Sequence, residues 1–314
     1  MQKIALIDIG SNSIRMALYQ IDDQYQVQEI QRYREFVQLA KNRTATGAIN
    51  SANFQAGIQA LRKFQTIIKS HRIQQVVATA TEAVRKASNQ SAFIQTAQQI
   101  ADIKITVLTG QQEAYYDFLA VQQSCLQADF LFLDTGGGSF ELGVVQQRRL
   151  QQTGSWPWGA VNLFDLLQQP QQLNAAQQSQ IRRLILTSLQ SISHKTISHL
   201  VMLGGVHRCL MEMIGASPAT WLTRKQLQKW IVKIINNSLA ENLKLSQMEP
   251  QRAPFMPVGL LPLATIMEHF QVQQVQFCRN GLREGILVEY IRQLKHQQTP
   301  FLSFNLKDNS LPKS

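Results

Sequence analysis

From Ala52 to Lys69 apolar residues fall at helical spacing, with Phe54, Ile58, Leu61, Phe64, Ile67 and Ile68 on one face. The spacing predicts an amphipathic helix. Gln74 to Ala78 reads as a strand, and Thr81 stands where it caps a helix carrying Glu82 and Arg85. Ile103 to Leu108 predicts another strand. Thr109-Gly110 then turns the chain into a helix holding Glu113, Phe118 and Val121. Ser155 to Gly159 reads as a loop, Gln178 to Ser193 as a helix, and Leu200 to Leu203 as a strand running into Gly204-Gly205. Leu282 to Leu294 predicts an apolar helix, and the tail from Gln297 a frayed end.

One pattern occurs twice. Leu6-Ile7-Asp8-Ile9-Gly10-Ser11-Asn12-Ser13-Ile14-Arg15 is an apolar strand ending in Asp, a Gly/Ser turn and a second apolar strand. Leu133-Asp134-Thr135-Gly136-Gly137-Gly138-Ser139-Phe140-Glu141 repeats it, with Asp134, Gly136 and Ser139 at one fixed offset from Asp8, Gly10 and Ser13. Each copy predicts a β-hairpin. Two such hairpins, each opening a long αβ segment, predict related lobes facing one another across a cleft. A turn of this kind suits phosphate. Glycine lets the backbone approach an anion, and successive N–H groups with a Ser hydroxyl wrap its oxygens.

Composition narrows the partners. The 314 residues are 44% hydrophobic and 16% charged, enough for two lobes with cores. The formal charge of +11 favours anionic partners. The basic residues are scattered in short pairs, without zinc-finger spacing or an RNP-like aromatic motif, so a phosphate-rich small molecule is expected rather than nucleic acid. Cys125, Cys209 and Cys278 are odd in number and far apart, which suits a reducing compartment. Neither a signal-peptide core nor a membrane-length apolar run is present, so a soluble cytoplasmic protein is expected.

At these residues the chain resembles the exopolyphosphatase/guanosine-pentaphosphatase (Ppx/GppA) family, in its short two-domain form, within the sugar-kinase and actin superfamily. Asp8 to Arg15 matches the family's first phosphate loop and Asp134 to Glu141 the second. Ala78 to Arg85, Thr109 to Ala114, Ser155 to Val161 and Gly281 to Gly285 extend the match over nearly the whole chain. The resemblance implies an α/β fold of two duplicated actin-like (ribonuclease H-like) lobes around a central cleft. Residues 1–123 would form the N-terminal lobe and 124–314 the C-terminal lobe. Some positions depart from the family pattern. Gln111-Gln112 replaces an acidic pair, Asn162 and Gln38 stand where Arg is common, and Val206 follows Gly204-Gly205 where Thr is usual. These departures point to a weaker phosphate grip or an altered substrate preference.

Residue roles follow from the resemblance, each beside a plainer reading. Asp8, Asp134 and Glu141 would address Mg²⁺ or Mn²⁺, although strand-end Asp residues also cap turns. Gly10, Ser11, Asn12 and Ser13, with Gly136, Gly137, Gly138 and Ser139, would cradle phosphates. Arg15 suits a phosphate contact or an ion pair with Glu141, and Arg85 suits phosphate or a solvated helix face. Glu113 matches the catalytic Glu of the family as general base, whereas a Glu in a first helical turn also complements the helix dipole. His207 reads as structural, and Arg252 and Arg283 as second-lobe contacts to polyphosphate or to structure. The implied activity is exopolyphosphatase, acting on inorganic polyphosphate by in-line water attack. A guanosine pentaphosphate phosphohydrolase, a kinase and a polyphosphate-binding regulator without turnover stay open, as does a homodimer.

Overall fold

A computed structural model describes residues 1–192, 196–218 and 220–295. The first lobe runs β1 (Gln2–Ile9), β2 (Ser13–Ile21), β3 (Val27–Phe36), α1 (Ser51–Ser70), β4 (Gln75–Ala80), α2 (Glu82–Arg85), α3 (Gln90–Ala101), β5 (Ile105–Val107) and α4 (Gly110–Gln122). The second begins with β6 (Phe130–Thr135), β7 (Phe140–Gln146), β8 (Arg149–Trp156), α5 (Ala160–Leu166) and α6 (Ala175–Leu189). It continues through β9 (His199–Leu203), α7 (Gly204–Ile214), β10 (Leu222–Thr223), α8 (Arg224–Asn236) and α9 (Leu239–Leu243). It closes with α10 (Met256–His269), β11 (Gln274–Phe277) and α11 (Leu282–Lys295).

The duplication in the sequence is a duplication of topology. The first sheet has the order β3-β2-β1-β4-β5, and the second β10-β11-β9-β6-β7-β8. Removing the short edge strand β10 leaves β8-β7-β6-β9-β11, which repeats the first order. In each sheet a three-stranded antiparallel meander continues into two parallel strands. The two turns close in the same way, Gly10 N–H donating to the Ser13 carbonyl at 3.1 Å and Gly136 N–H to that of Ser139 at 3.0 Å. The fold is the duplicated actin-like α/β arrangement that the resemblance implied.

Strand alternation sends β1 into two cores. Ala5, Ile7 and Ile9 join one cluster with α1 and α3, whereas Ile4 and Leu6 join another with α4 and α11. That second cluster also takes Phe130, Phe132, Val201 and Leu203 from the other sheet, so α4 and α11 lie in apolar contact with both lobes. Gly285 lets these helices touch, since a Cβ there would stand 1.8 Å from the Tyr116 carbonyl oxygen. α11 thus returns to pack against α4 and β1 of the first lobe.

Helix starts follow their caps. Asn50 accepts from Asn53 N–H at 3.0 Å to open α1. At α4 Thr109 and Gln112 form a reciprocal capping box. Gln112, one of the departures from the family pattern, accepts from Thr109 N–H at 2.7 Å. Its amide does local work there. The helix expected from Gln178 is α6, which starts three residues earlier at Ala175. Ser193 and the tail from Gln297 lie outside the described residues.

Candidate active site

Both Gly/Ser turns open onto one cleft of about 120 Å³ between the lobes. The hairpin registers define its floor. Asp8 stands opposite Arg15 on β2, and Asp134 stands opposite Glu141 on β7. The sequence-predicted residues Asp8, Gly10, Ser11, Asn12, Ser13 and Arg15 line the first-lobe side. Asp134, Gly136, Gly137, Gly138, Ser139 and Glu141 line the second. Glu113 enters from α4. Arg85 stands outside the wall, behind Glu113. It pairs with the Glu113 carboxylate and donates to the Leu108 carbonyl at 2.6 Å.

Arg15 and Glu141 each find partners in their own lobe. Arg15 Nε donates to Ser13 Oγ at 3.2 Å, and Ser155 Oγ donates to Glu141 Oε1 at 2.7 Å. Gly204 closes the cleft near Asp134. Its φ is +88°, and a Cβ would lie 2.2 Å from Asp134 Oδ1, so a side chain at this position would push into the carboxylate.

The lobes also meet beside the second turn. Asn162 Nδ2 donates to the Gly138 carbonyl at 2.7 Å and to Glu82 Oε1 at 3.3 Å, while Arg43 lies 3.6 Å from Glu82 Oε2. The Asn at a position where Arg is common thus ties α5 to α2 across the cleft. His207 is fully buried against the Thr135 hydroxyl and the Leu203 carbonyl, and burial lowers it to about 4. Both of its ring nitrogens are engaged by the fold, and burial disfavours its charged form.

Among the described residues, five carboxyl groups face the cleft: Asp8, Glu113, Asp117, Asp134 and Glu141. Burial raises all five above the ordinary carboxylate range. Arg15 partly offsets this at Asp134, which stands at about 6. Burial carries Glu113 to about 7, against the pull of Arg85, with Asp8 and Asp134 adding repulsion. Asp117 is the member that sequence reasoning missed. It lies one helical turn beyond Glu113, only 2% exposed, and its Oδ1 has no hydrogen-bond partner. Its i, i+4 spacing puts it on the same face of α4 as Glu113.

These donors suit a hard divalent cation, because all are carboxyl oxygens and the buried Asp134 Oδ1 lacks a hydrogen-bond partner. Among the described residues, no three acidic, His or Cys side chains converge closely enough to hold a metal by themselves. Magnesium-like ions are commonly held by one or two carboxylates with substrate phosphates and water completing the shell, and the cleft fits that mode.

The fold and cleft define a two-lobed α/β protein with paired Gly/Ser turns facing one opening. The chain belongs to the Ppx/GppA phosphatase family, whose model matches residues 17–294. It is 23% identical over 296 residues to a candidate exopolyphosphatase of Haemophilus influenzae, covering 91% of this chain and 90% of that one. An exopolyphosphatase structure from Cytophaga hutchinsonii is similar with a TM-score of 0.86 at 21% identity, over 95% of this chain and 99% of the other. The Aquifex aeolicus member of the Ppx/GppA family gives a TM-score of 0.79 at 26% identity, with the same coverage.

Proposed function

We propose that the protein is an exopolyphosphatase that removes the terminal phosphate of inorganic polyphosphate. The observation carrying this reading is the convergence of both Gly/Ser turns, the paired aspartates and Glu113 on one cleft. The family membership and the names of the similar proteins point the same way.

Turn N–H groups and the Ser11, Ser13 and Ser139 hydroxyls would orient the terminal phosphoryl group. A water in line with the terminal anhydride attacks phosphorus, and Glu113 takes its proton. The bond to the bridging oxygen breaks, leaving orthophosphate and a chain shorter by one unit. Arg85 keeps Glu113 aimed and favours its ionised form. With a carboxyl near 7, Glu113 is a competent base at neutral pH. One or two of Asp8, Asp134 and Glu141 would hold Mg²⁺ or Mn²⁺ together with substrate phosphates and water, and the ion would supply neutralisation of phosphate charge. That neutralisation matters because, among the described residues, five carboxyl groups and two arginines, Arg15 and Arg252, face the cleft.

The test is orthophosphate release from long-chain polyphosphate, tripolyphosphate and guanosine pentaphosphate, in parallel, with Mg²⁺ or Mn²⁺. Polyphosphate is expected to be cleaved with the highest kcat/KM. A clear preference for guanosine pentaphosphate would move the assignment to the nucleotide, and binding without release from any of the three would make the protein a regulator.

A further inference from the structure

The second turn, Gly136-Gly137-Gly138-Ser139, is mostly glycine and carries no bulky side chain that could hold it in one shape. What fixes it comes from outside. The start of α5 takes its carbonyls, with Ala160 N–H donating to Gly136 at 2.9 Å, Val161 N–H to Gly137 at 2.8 Å and Gly159 N–H to Gly138 at 3.1 Å. With those carbonyls engaged, the N–H groups of Gly137, Gly138 and Ser139 make no hydrogen bond with a described residue, and all three residues line the cleft. Successive free N–H groups of this kind suit an anion.

From the first lobe the same turn meets Glu82. A Cβ on Gly138 would overlap the Glu82 carboxylate and stand 2.5 Å from Ser11 Oγ, so both side chains lie directly against this glycine. Asn162 joins the parts, its Nδ2 donating to the Gly138 carbonyl at 2.7 Å and to Glu82 Oε1 at 3.3 Å. Glu82 is in turn anchored to the strand that carries the first turn. β4 runs parallel to β1 with Ala80 beside Ile9, and Thr81 N–H donates to the Ile9 carbonyl at 3.2 Å. A rigid path thus leads from the first turn, through β4 and the start of α2, to the second. The carboxylate is costly where it stands. Glu82 is 4% exposed, its Oε2 has no hydrogen bond, and Arg43, 3.6 Å from that oxygen, has a buried Nε without one. Buried polar groups short of partners weaken a fold, so stability does not account for this cluster.

We propose that Glu82 is a positioning residue for the reaction: with Asn162 it fixes Gly138 against Ser11 and so sets the distance between the donors of the two turns. The inference rests on the proposed function for what those donors hold, a terminal phosphoryl group. Thr81 and Gly138 form the cleft wall beside Glu82, which acts through the turn and not on the substrate. A phosphoryl group gripped from both lobes is sensitive to that distance, since a misplacement of about 1 Å can cost about 10²-fold in rate.

The experiment compares Glu82→Ala, Glu82→Gln, Asn162→Ala and the double variant Glu82→Ala with Asn162→Ala against wild type, each as the full chain. Orthophosphate release from tripolyphosphate with Mg²⁺ gives kcat and KM, tripolyphosphate binding in a chelating buffer gives affinity without turnover, and thermal melts report the fold. Glu82→Ala is expected to lower kcat by about 10- to 100-fold and to weaken binding about threefold or more, with a melting temperature within about 5 °C of wild type. Glu82→Gln keeps an acceptor for Asn162 and should lose less. The double variant should lose little more than the worse single variant, because both substitutions break one tie. Wild-type kcat and affinity in Glu82→Ala would overturn the proposal, as would losses that multiply in the double variant. A rate that returns to the wild-type value once each variant is assayed well below its melting temperature would make Glu82 purely structural, and overturns it too. If wild type binds tripolyphosphate and releases nothing, coupled losses of binding uphold the tie while the hydrolase reading fails. If wild type cleaves and the variants match it, the tie fails and that reading stands.

Discussion

The protonation of Glu113 reflects an opposition between solvent exclusion and one guanidinium. Burial and the aspartates favour its neutral form, Arg85 favours the anion, and the balance falls at about 7. The catalytic rate should therefore rise with pH along a limb centred near 7, as the carboxyl ionises and becomes able to accept a proton. Arg85→Gln removes the charge that lowers Glu113 and leaves the burial. The limb should move to higher pH, with activity lost at pH 7 and partly regained at pH 9. Arg85→Lys keeps the charge and should shift it less. A pH–rate profile of the variant that overlays wild type would show that Arg85 does not set the protonation of Glu113. Much at this scale was legible, because the repeated Asp, Gly and Ser positions carry their spacing in the sequence. Asp117 was not, since a lone Asp among apolar helix residues shows its environment only once its facing strands are known.

At the scale of elements, α4 combines two demands. It seals the apolar contact between lobes and carries two carboxyl groups, Glu113 and Asp117, into the cleft. Burial first, then Asp134, Glu141, Glu113 and Asp8, raise Asp117 well above its ordinary range. A carboxyl raised on folding binds its proton more tightly in the folded state, so its stabilising contribution holds at low pH and is lost as pH rises through the folded value. Asp117→Asn removes that penalty. In chelator at pH 8 it should stabilise the protein by about 1–3 kcal/mol, and the gain should shrink toward pH 4. Thermal melts of both proteins at the two pH values measure it. A variant less stable than wild type at pH 8 would mean that Asp117 is needed for the fold.

The same scale separates what pattern reading found from what it missed. The helices α1, α4 and α11 carry strong signals, an apolar face or a cap, and were expected within a few residues of where they lie. β3 gave none. Its residues are mostly exposed, so the alternation that marks a half-buried strand is missing from Val27–Phe36. The nearness of Arg34 on β3 to Arg15 consequently showed only in the sheet order. α10 is apolar nearly all round and contains Pro257 and Pro262, which hides its period.

The whole molecule carries a formal charge of +11 and sets its cleft between lobes of like topology. A long chain that also meets basic surface outside the cleft should be more sensitive to ionic strength than a short one, because more phosphate contacts are screened. The KM for long-chain polyphosphate should accordingly rise more steeply with added salt than that for tripolyphosphate. Equal slopes would confine binding to the terminal units.

The central claim is that Glu113 activates water against a phosphoanhydride held between the two turns, and one substitution addresses it. Glu113→Gln keeps the size and hydrogen-bonding shape of the side chain and removes its capacity to accept a proton. Gln111 and Gln112, its neighbours on α4, offer no carboxylate in its place. Orthophosphate release from long-chain polyphosphate should fall by about 10² to 10⁴-fold, while polyphosphate binding is retained or strengthened by the loss of negative charge in the cleft. Turnover near the wild-type rate would contradict the account and leave Glu113 as a residue of the helix start.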